Sequence, residues 1–101
     1  MNVDIFKSNL AGKKYKIIIN NNNTKKTIHI GQSGADDYTI TKDKEQKERY
    51  INRHRTRENW NKSGIKTAGF WSRYLTWNKP TIAESIKDIE TKFNIKIKKN
   101  F

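Results

Sequence analysis

A chain of 101 residues has room for one domain with one modest core and too little for two. It has no cysteine, which removes disulfide frameworks and thiolate metal sites, and no apolar run approaches the roughly 20 residues that span a bilayer. Its formal net charge is +12, from 22 Lys and Arg against 10 Asp and Glu, and an excess of that size attracts polyanions over a distance.

Part of this charge has an ordinary origin. The 17 Lys, 12 Asn and 14 Ile fill 43 of the 101 positions, the usage that A- and T-rich codons give any protein. Drift toward lysine does not remove acidic residues, however, so the imbalance is read as functional. Hydrophobic residues are scarce at 33%, but three Trp, four Tyr and four Phe cluster along the chain, which favours a folded domain over disorder. The opening Met1-Asn2-Val3-Asp4-Ile5-Phe6 lacks the charged and apolar regions of a signal peptide, so export is not expected.

In chain order, residues 1–12 show little periodicity and read as a flexible leader, with Ile5, Phe6 and Leu10 available to pack on the body. Residues 13–101 read as a single α+β domain. Tyr15, Ile17 and Ile19 alternate with Lys14, Lys16 and Ile18, and Ile28 and Ile30 alternate with Thr27 and His29. The intervening Asn20-Asn21-Asn22-Asn23 tolerates left-handed backbone, so this segment is a β-hairpin. Gly31 and Gly34 punctuate a polar loop carrying Asp36 and Asp37. From about Thr41 to Asn59 the residues favour a helix, with Thr41 or Asp43 as N-cap; Tyr50, Ile51 and His54 form its narrow apolar stripe, and Arg49, Arg53 and Arg57 the ridge beside it.

Trp60 to Pro80 is the most aromatic stretch, and Phe70, Trp71, Tyr74 and Leu75 fall at helical spacing after Gly69. Thr81-Ile82-Ala83-Glu84 reads as a capping box, and Ile82, Ile86, Ile89 and Phe93 recur at i, i+4, i+7 and i+11 on one face of a helix that Asn94 closes. Ile95-Lys96-Ile97-Lys98 then alternates as a strand that joins the hairpin. The expected fold is α+β: a small antiparallel sheet of about three strands, the N-terminal hairpin plus the C-terminal strand, packed on about three helices.

The leading functional feature is Arg49, Arg53, Arg55 and Arg57, four planar forks that match phosphate oxygens within nine residues. Glu45, Glu48 and Glu58 stand at spacings that could pair with them, but cations remain in excess. Lys42, Lys44, Lys47, Lys62, Lys66 and Arg73 extend the cluster. Lys13, Lys14, Lys16, Lys25 and Lys26 of the hairpin widen it if they share its face. Stacking of Trp60, Trp71 and Trp77 on unpaired bases competes with the demand of a small core for the same rings. Ser63-Gly64-Ile65-Lys66-Thr67 lacks the earlier glycine and the Gly-Lys-Ser/Thr ending of a phosphate-binding loop. His29 and His54 have no carboxylate cluster at metal-ligand spacing, and no acidic pair is placed for acid–base work, so neither an enzyme nor a cofactor is expected.

Lys42 to His54, followed by Glu58 to Pro80 with its Gly-Phe-Trp-Ser-Arg-Tyr-Leu-Thr-Trp-Asn-Lys-Pro segment at residues 69–80, resembles a family of short basic proteins encoded by giant DNA viruses of the mimivirus-like and chlorella-virus-like groups. The similarity runs from about Lys13 to Ile97. It implies a viral origin, an A- and T-rich genome, and a place in the virion, with the host-cell cytoplasm as the site of the viral factory during infection. It carries over no functional residue. Together the two lines give an expectation of a virion-associated protein that coats or condenses viral DNA without sequence readout. Double-stranded DNA is the favoured partner, RNA another candidate, self-association or other virion proteins further partners, and no membrane is involved. The alternative is a capsid or core structural protein whose basic face meets acidic proteins.

Overall fold

The computed structural model describes residues 1–101 and shows an α+β fold. Four strands, β1 (Asn2–Lys7), β2 (Lys13–Asn21), β3 (Thr24–Gln32) and β4 (Lys96–Lys99), form one sheet in the order β3-β2-β1-β4. The hairpin stands as its alternation predicts: Asn22 takes the left-handed backbone (φ 58°) and the Thr24 hydroxyl donates to the Asn21 carbonyl at 2.6 Å.

Within the segment expected as a leader, Asn2–Lys7 form a strand. β1 lies inside the sheet, antiparallel to β2 and parallel to β4, with Val3 and Ile5 only 1% and 0% exposed. Its alternation rests on two apolar residues, and Phe6, following Ile5 directly, blurs the period. The C-terminal strand therefore joins β1 and not the hairpin, and the sheet is mixed, with four strands where about three antiparallel ones were expected.

Helix α1 (Tyr38–Thr41) arises where a polar loop was expected, because the Asp37 carboxylate caps it, accepting from the Thr39 N–H at 2.9 Å. Lys42, at φ 54°, ends it and separates it from α2 (Lys44–His54), which starts on an Asp43 cap. The long helix expected from Thr41 to Asn59 is thus divided at its start, and it stops at His54 because nothing apolar beyond Ile51 holds a further turn to the body. After a single 3-10 turn (Lys62–Gly64), α3 (Ala68–Trp71) is capped by Thr67 and widens into a π turn (Ser72–Thr76) that buries Phe70, Trp71, Tyr74 and Leu75. Helix α4 (Ile82–Phe93) has the predicted apolar face and the Asn94 left-handed cap. Its capping box is only half formed: Thr81 accepts from the Glu84 N–H, but its hydroxyl donates to the Glu84 carboxylate at 3.0 Å, so that carboxylate does not reach back to backbone.

The core lies between one sheet face and the helices. Val3, Ile5, Ile17, Ile19 and Ile30 meet Phe70, Trp71, Leu75 and Ile89. Trp71 donates from Nε1 to the Ile65 carbonyl at 2.6 Å, and the Tyr74 hydroxyl to the Trp60 carbonyl at 2.9 Å, tying the loop after α2 to the helical layer. None of the side chains on the other sheet face belongs to this core. No helix is long and apolar enough to cross a membrane.

Ile5→Ala is expected to destabilise the protein by about 2–5 kcal/mol in equilibrium urea unfolding, the cost of emptying a fully packed site. An unchanged midpoint would restore the leader.

Candidate nucleic-acid interface

Helix α2 is short of apolar residues, and Tyr50 is its one buried side chain, 7% exposed. The Tyr50 ring lies between Trp77, at 4.6 Å between centroids and 7° between planes, and His54, at 4.3 Å and 30°. Stacked aromatic pairs contribute about 0.5–1.5 kcal/mol each beyond their area, so this stack is the main attachment of α2 to the body. The π turn sets it up: the extra residue per turn brings the Trp77 N–H to the Ser72 carbonyl at 3.1 Å and carries the Trp77 ring out of the helical layer toward α2. Burial pushes the Tyr50 phenol up to about 12, Glu58 adding to the rise while Arg73 and Arg53 oppose it. Partial burial, then the charges of Arg57 and Arg53, push His54 below its ordinary range, which keeps its ring neutral against Tyr50 at pH 7.

Around this stack the cations divide into two kinds. Arg49, Arg53, Arg55 and Arg57 are exposed and free of carboxylate partners, since the one ion pair in the chain joins Lys14 to Asp37. Glu45 and Glu48 stand on the same helix without pairing to them. Glu58 is turned aside: its carboxylate rests against Gly69, in the space a side chain there would need. Arg73, by contrast, is half-buried. Its guanidinium packs on the rings of Trp60 (5.5 Å) and Tyr74 (5.2 Å) and donates to the Trp77 carbonyl at 2.8 Å. It braces the π turn and is not the free phosphate ligand its place in the sequence suggested. Lys47 is half-buried too, its ammonium 5.0 Å from the Tyr38 ring; burial, followed by the charges of Arg73 and Lys79, pulls its pKa down.

The lysines do not all join this cluster. Lys44 stands exposed at the start of α2, and Lys42 donates to the Thr39 carbonyl at 2.8 Å. Lys62 and Lys66 are exposed on the loop that follows α2, and Lys13 at the start of β2. Lys14 is withdrawn from the site. It lies across Gly31, donates to the Ala35 carbonyl, and meets the Asp37 carboxylate at 2.7 Å with 15% of its side chain exposed. Lys25 and Lys26 flank the hairpin tip, six ladder steps along β2 from Lys14, or about 20 Å at ~3.3 Å per residue. Lys16 is on the sheet face away from the core, its ammonium 5.0 Å from the Phe6 ring. Lys14 is therefore taken up by Asp37, and Lys25 and Lys26 stand far from it at the hairpin tip, while Lys13 stays exposed.

Sequence reasoning missed Lys79, whose charge is felt at Lys47, because its position next to Pro80 made it read as the end of the aromatic tract. It also missed Trp77 as the dock for α2. Of the three Trp, Trp71 is in the core, Trp60 lies half-buried under Arg73, and Trp77 is half-buried against Tyr50.

Trp77→Ala is expected to cost about 2 kcal/mol and to remove amide-exchange protection from residues 46–54 while β1 and β2 keep theirs. Uniform loss or uniform retention would show that the stack is not what holds α2. A spectrophotometric titration should find one tyrosine ionising near pH 12, absent in Tyr50→Phe. The folded state keeps this proton to higher pH than the unfolded chain, whose tyrosines release theirs near 10, so the stability it contributes is intact below pH 10 and drains away above it.

No curated protein and no solved structure matches the chain. One family model does, over residues 3–54, which take in β1, the hairpin, α1 and the whole of α2 but none of the aromatic tract. More than half of the sequence is matched, and the chain belongs to the family of unknown function DUF5754.

Proposed function

We propose that this protein binds nucleic acid through the phosphate backbone, with α2 and the turn after it as the contact. One observation carries the reading: four exposed guanidinium groups within nine residues have no carboxylate partner, although three glutamates stand within the same stretch of chain. An unpaired arginine presents two parallel N–H donors to an anionic oxygen pair, and a row of them suits a polymer with a phosphate at every step. Phosphate contacts hold position without reading bases, so the binding is insensitive to sequence. Duplex DNA is the favoured ligand, and RNA shares the backbone chemistry. In the viral setting that the sequence resemblance implies, a protein of this kind coats or condenses the genome inside the virion, without catalysing a reaction.

Affinity for a random duplex is expected to fall by orders of magnitude between about 50 and 200 mM salt, as counterion release requires. Replacing Arg49, Arg53, Arg55 and Arg57 together with Gln should make the slope of log affinity against log salt shallower by about 3 to 4, at ~0.9 per lost contact, with the circular dichroism spectrum unchanged. Native affinity in this variant would move the function to the alternative, a structural protein whose basic face meets acidic partners.

A further inference from the structure

The sheet face away from the core has an unusual composition. Its side chains form rows across the strands: Lys96, Asn2, Asn20 and Lys25; then Lys98, Asp4, Ile18 and Thr27; then Phe6, Lys16 and His29. A solvated antiparallel face ordinarily reads polar at every outward position. Here Phe6 and Ile18 stand among the lysines, half-buried only by their neighbours, and contribute nothing to the core. Lys16 lies between Phe6 on β1 and His29 on β3, with its ammonium over the Phe6 ring, while the Ser8 hydroxyl fixes His29 Nδ1 at 2.8 Å. Beside this row a groove of about 420 Å³ runs between β1 and β4, edged by Asn2, Asp4, Asn20, Lys96 and Lys98.

We infer that this face is a second contact surface, which takes unpaired nucleotides by stacking a base on Phe6 and holding the flanking phosphates with Lys16 and Lys98. The inference rests on the proposed nucleic-acid binding and names the form of the ligand. Charge selects the occupant. The rows carry four exposed or half-exposed lysines beyond the hairpin's start against one acid, Asp4, so a second copy laid on this face would oppose lysine to lysine, whereas a polyanion is attracted. The aromatic ring then selects the form. In a duplex every base is covered on both sides by its neighbours, and only an unpaired base has a flat face to offer a Phe side chain. Lys16 already shows where such a base would go, since it fills the space above the ring with its own cation. On displacement it keeps reach of the phosphate next to the stacked base. The amide and carboxylate groups of Asn2, Asn20 and Asp4 give the groove donors and acceptors for the edge of a neighbouring base, Asp4 being steadied by Asn20 Nδ2 at 3.3 Å.

The test is fluorescence anisotropy with the full chain on labelled oligo-dT, oligo-U and a random duplex, at one low salt concentration. Phe6→Ala is expected to weaken binding to one or both single strands by about tenfold, within the ~1–3 kcal/mol found for a stacked base, and to leave the duplex unaffected. Phe6→Tyr should retain single-strand affinity. Lys16→Gln, which leaves the ring in place, should lower the single-strand salt slope by about 0.7. Equal single-strand affinity in native protein and both Phe6→Ala and Lys16→Gln overturns the inference, as does an equal loss on single strands and duplex. If the duplex binds through the α2 arginines while single strands ignore Phe6, this inference alone fails. If no polymer binds, the proposed function fails with it.

Discussion

Twelve uncompensated positive charges repel one another in a folded body of this size, and the architecture is arranged around keeping them off the apolar interior. The core is built almost wholly from isoleucine and aromatic rings, and the one acidic group in deep burial, Asp37, is matched by Lys14. Most of the remaining cations stand at the surface, among them those at the hairpin tip, on α2, on the turn after it, on α4 and on the outward sheet face. Arg73 enters the body between two aromatic faces, whose electron-rich surfaces offset part of the lost hydration.

A helix rich in like charges has little reason to stay with such a body. With a single buried side chain, α2 depends on the Tyr50 stack, which depends in turn on Trp77 leaving the helical layer where the π turn ends. Glu58 could have neutralised the arginine turn, but its carboxylate rests on Gly69, a position that accepts it only because glycine has no side chain. The exposed guanidinium groups are thus a product of the packing around them as much as of the sequence that supplies them.

How much of this was legible in the sequence varies with the distance over which the deciding contact acts. The hairpin and α4 were readable because their signals are local: alternation about an asparagine turn, and an apolar recurrence between a threonine cap and a left-handed asparagine. The exposure of the arginine ridge was equally local, following from a helix with almost no apolar face. β1 was not readable, because its two apolar residues acquire meaning only between β2 and a strand from the far end of the chain. The withdrawal of Lys14, the burial of Arg73 and the docking of Trp77 on Tyr50 also depend on partners that no periodicity connects. Phe6 was noticed only as a residue able to pack, since nothing in a six-residue strand says which face the helices will leave uncovered.

The parallel pairing of β1 with β4 has a kinetic side. Asn2 lies opposite Lys96, and the Asn100 N–H donates to the Ile5 carbonyl, so the sheet joins segments separated by nearly the full length of the polypeptide. Closing so long a loop costs entropy before any ladder bond repays it. The hairpin, the β1 strand beside it and α4 can form early from nearby residues, whereas β4 docks only when the final residues arrive, and until then the outer backbone edge of β1 stays open to the wrong neighbour.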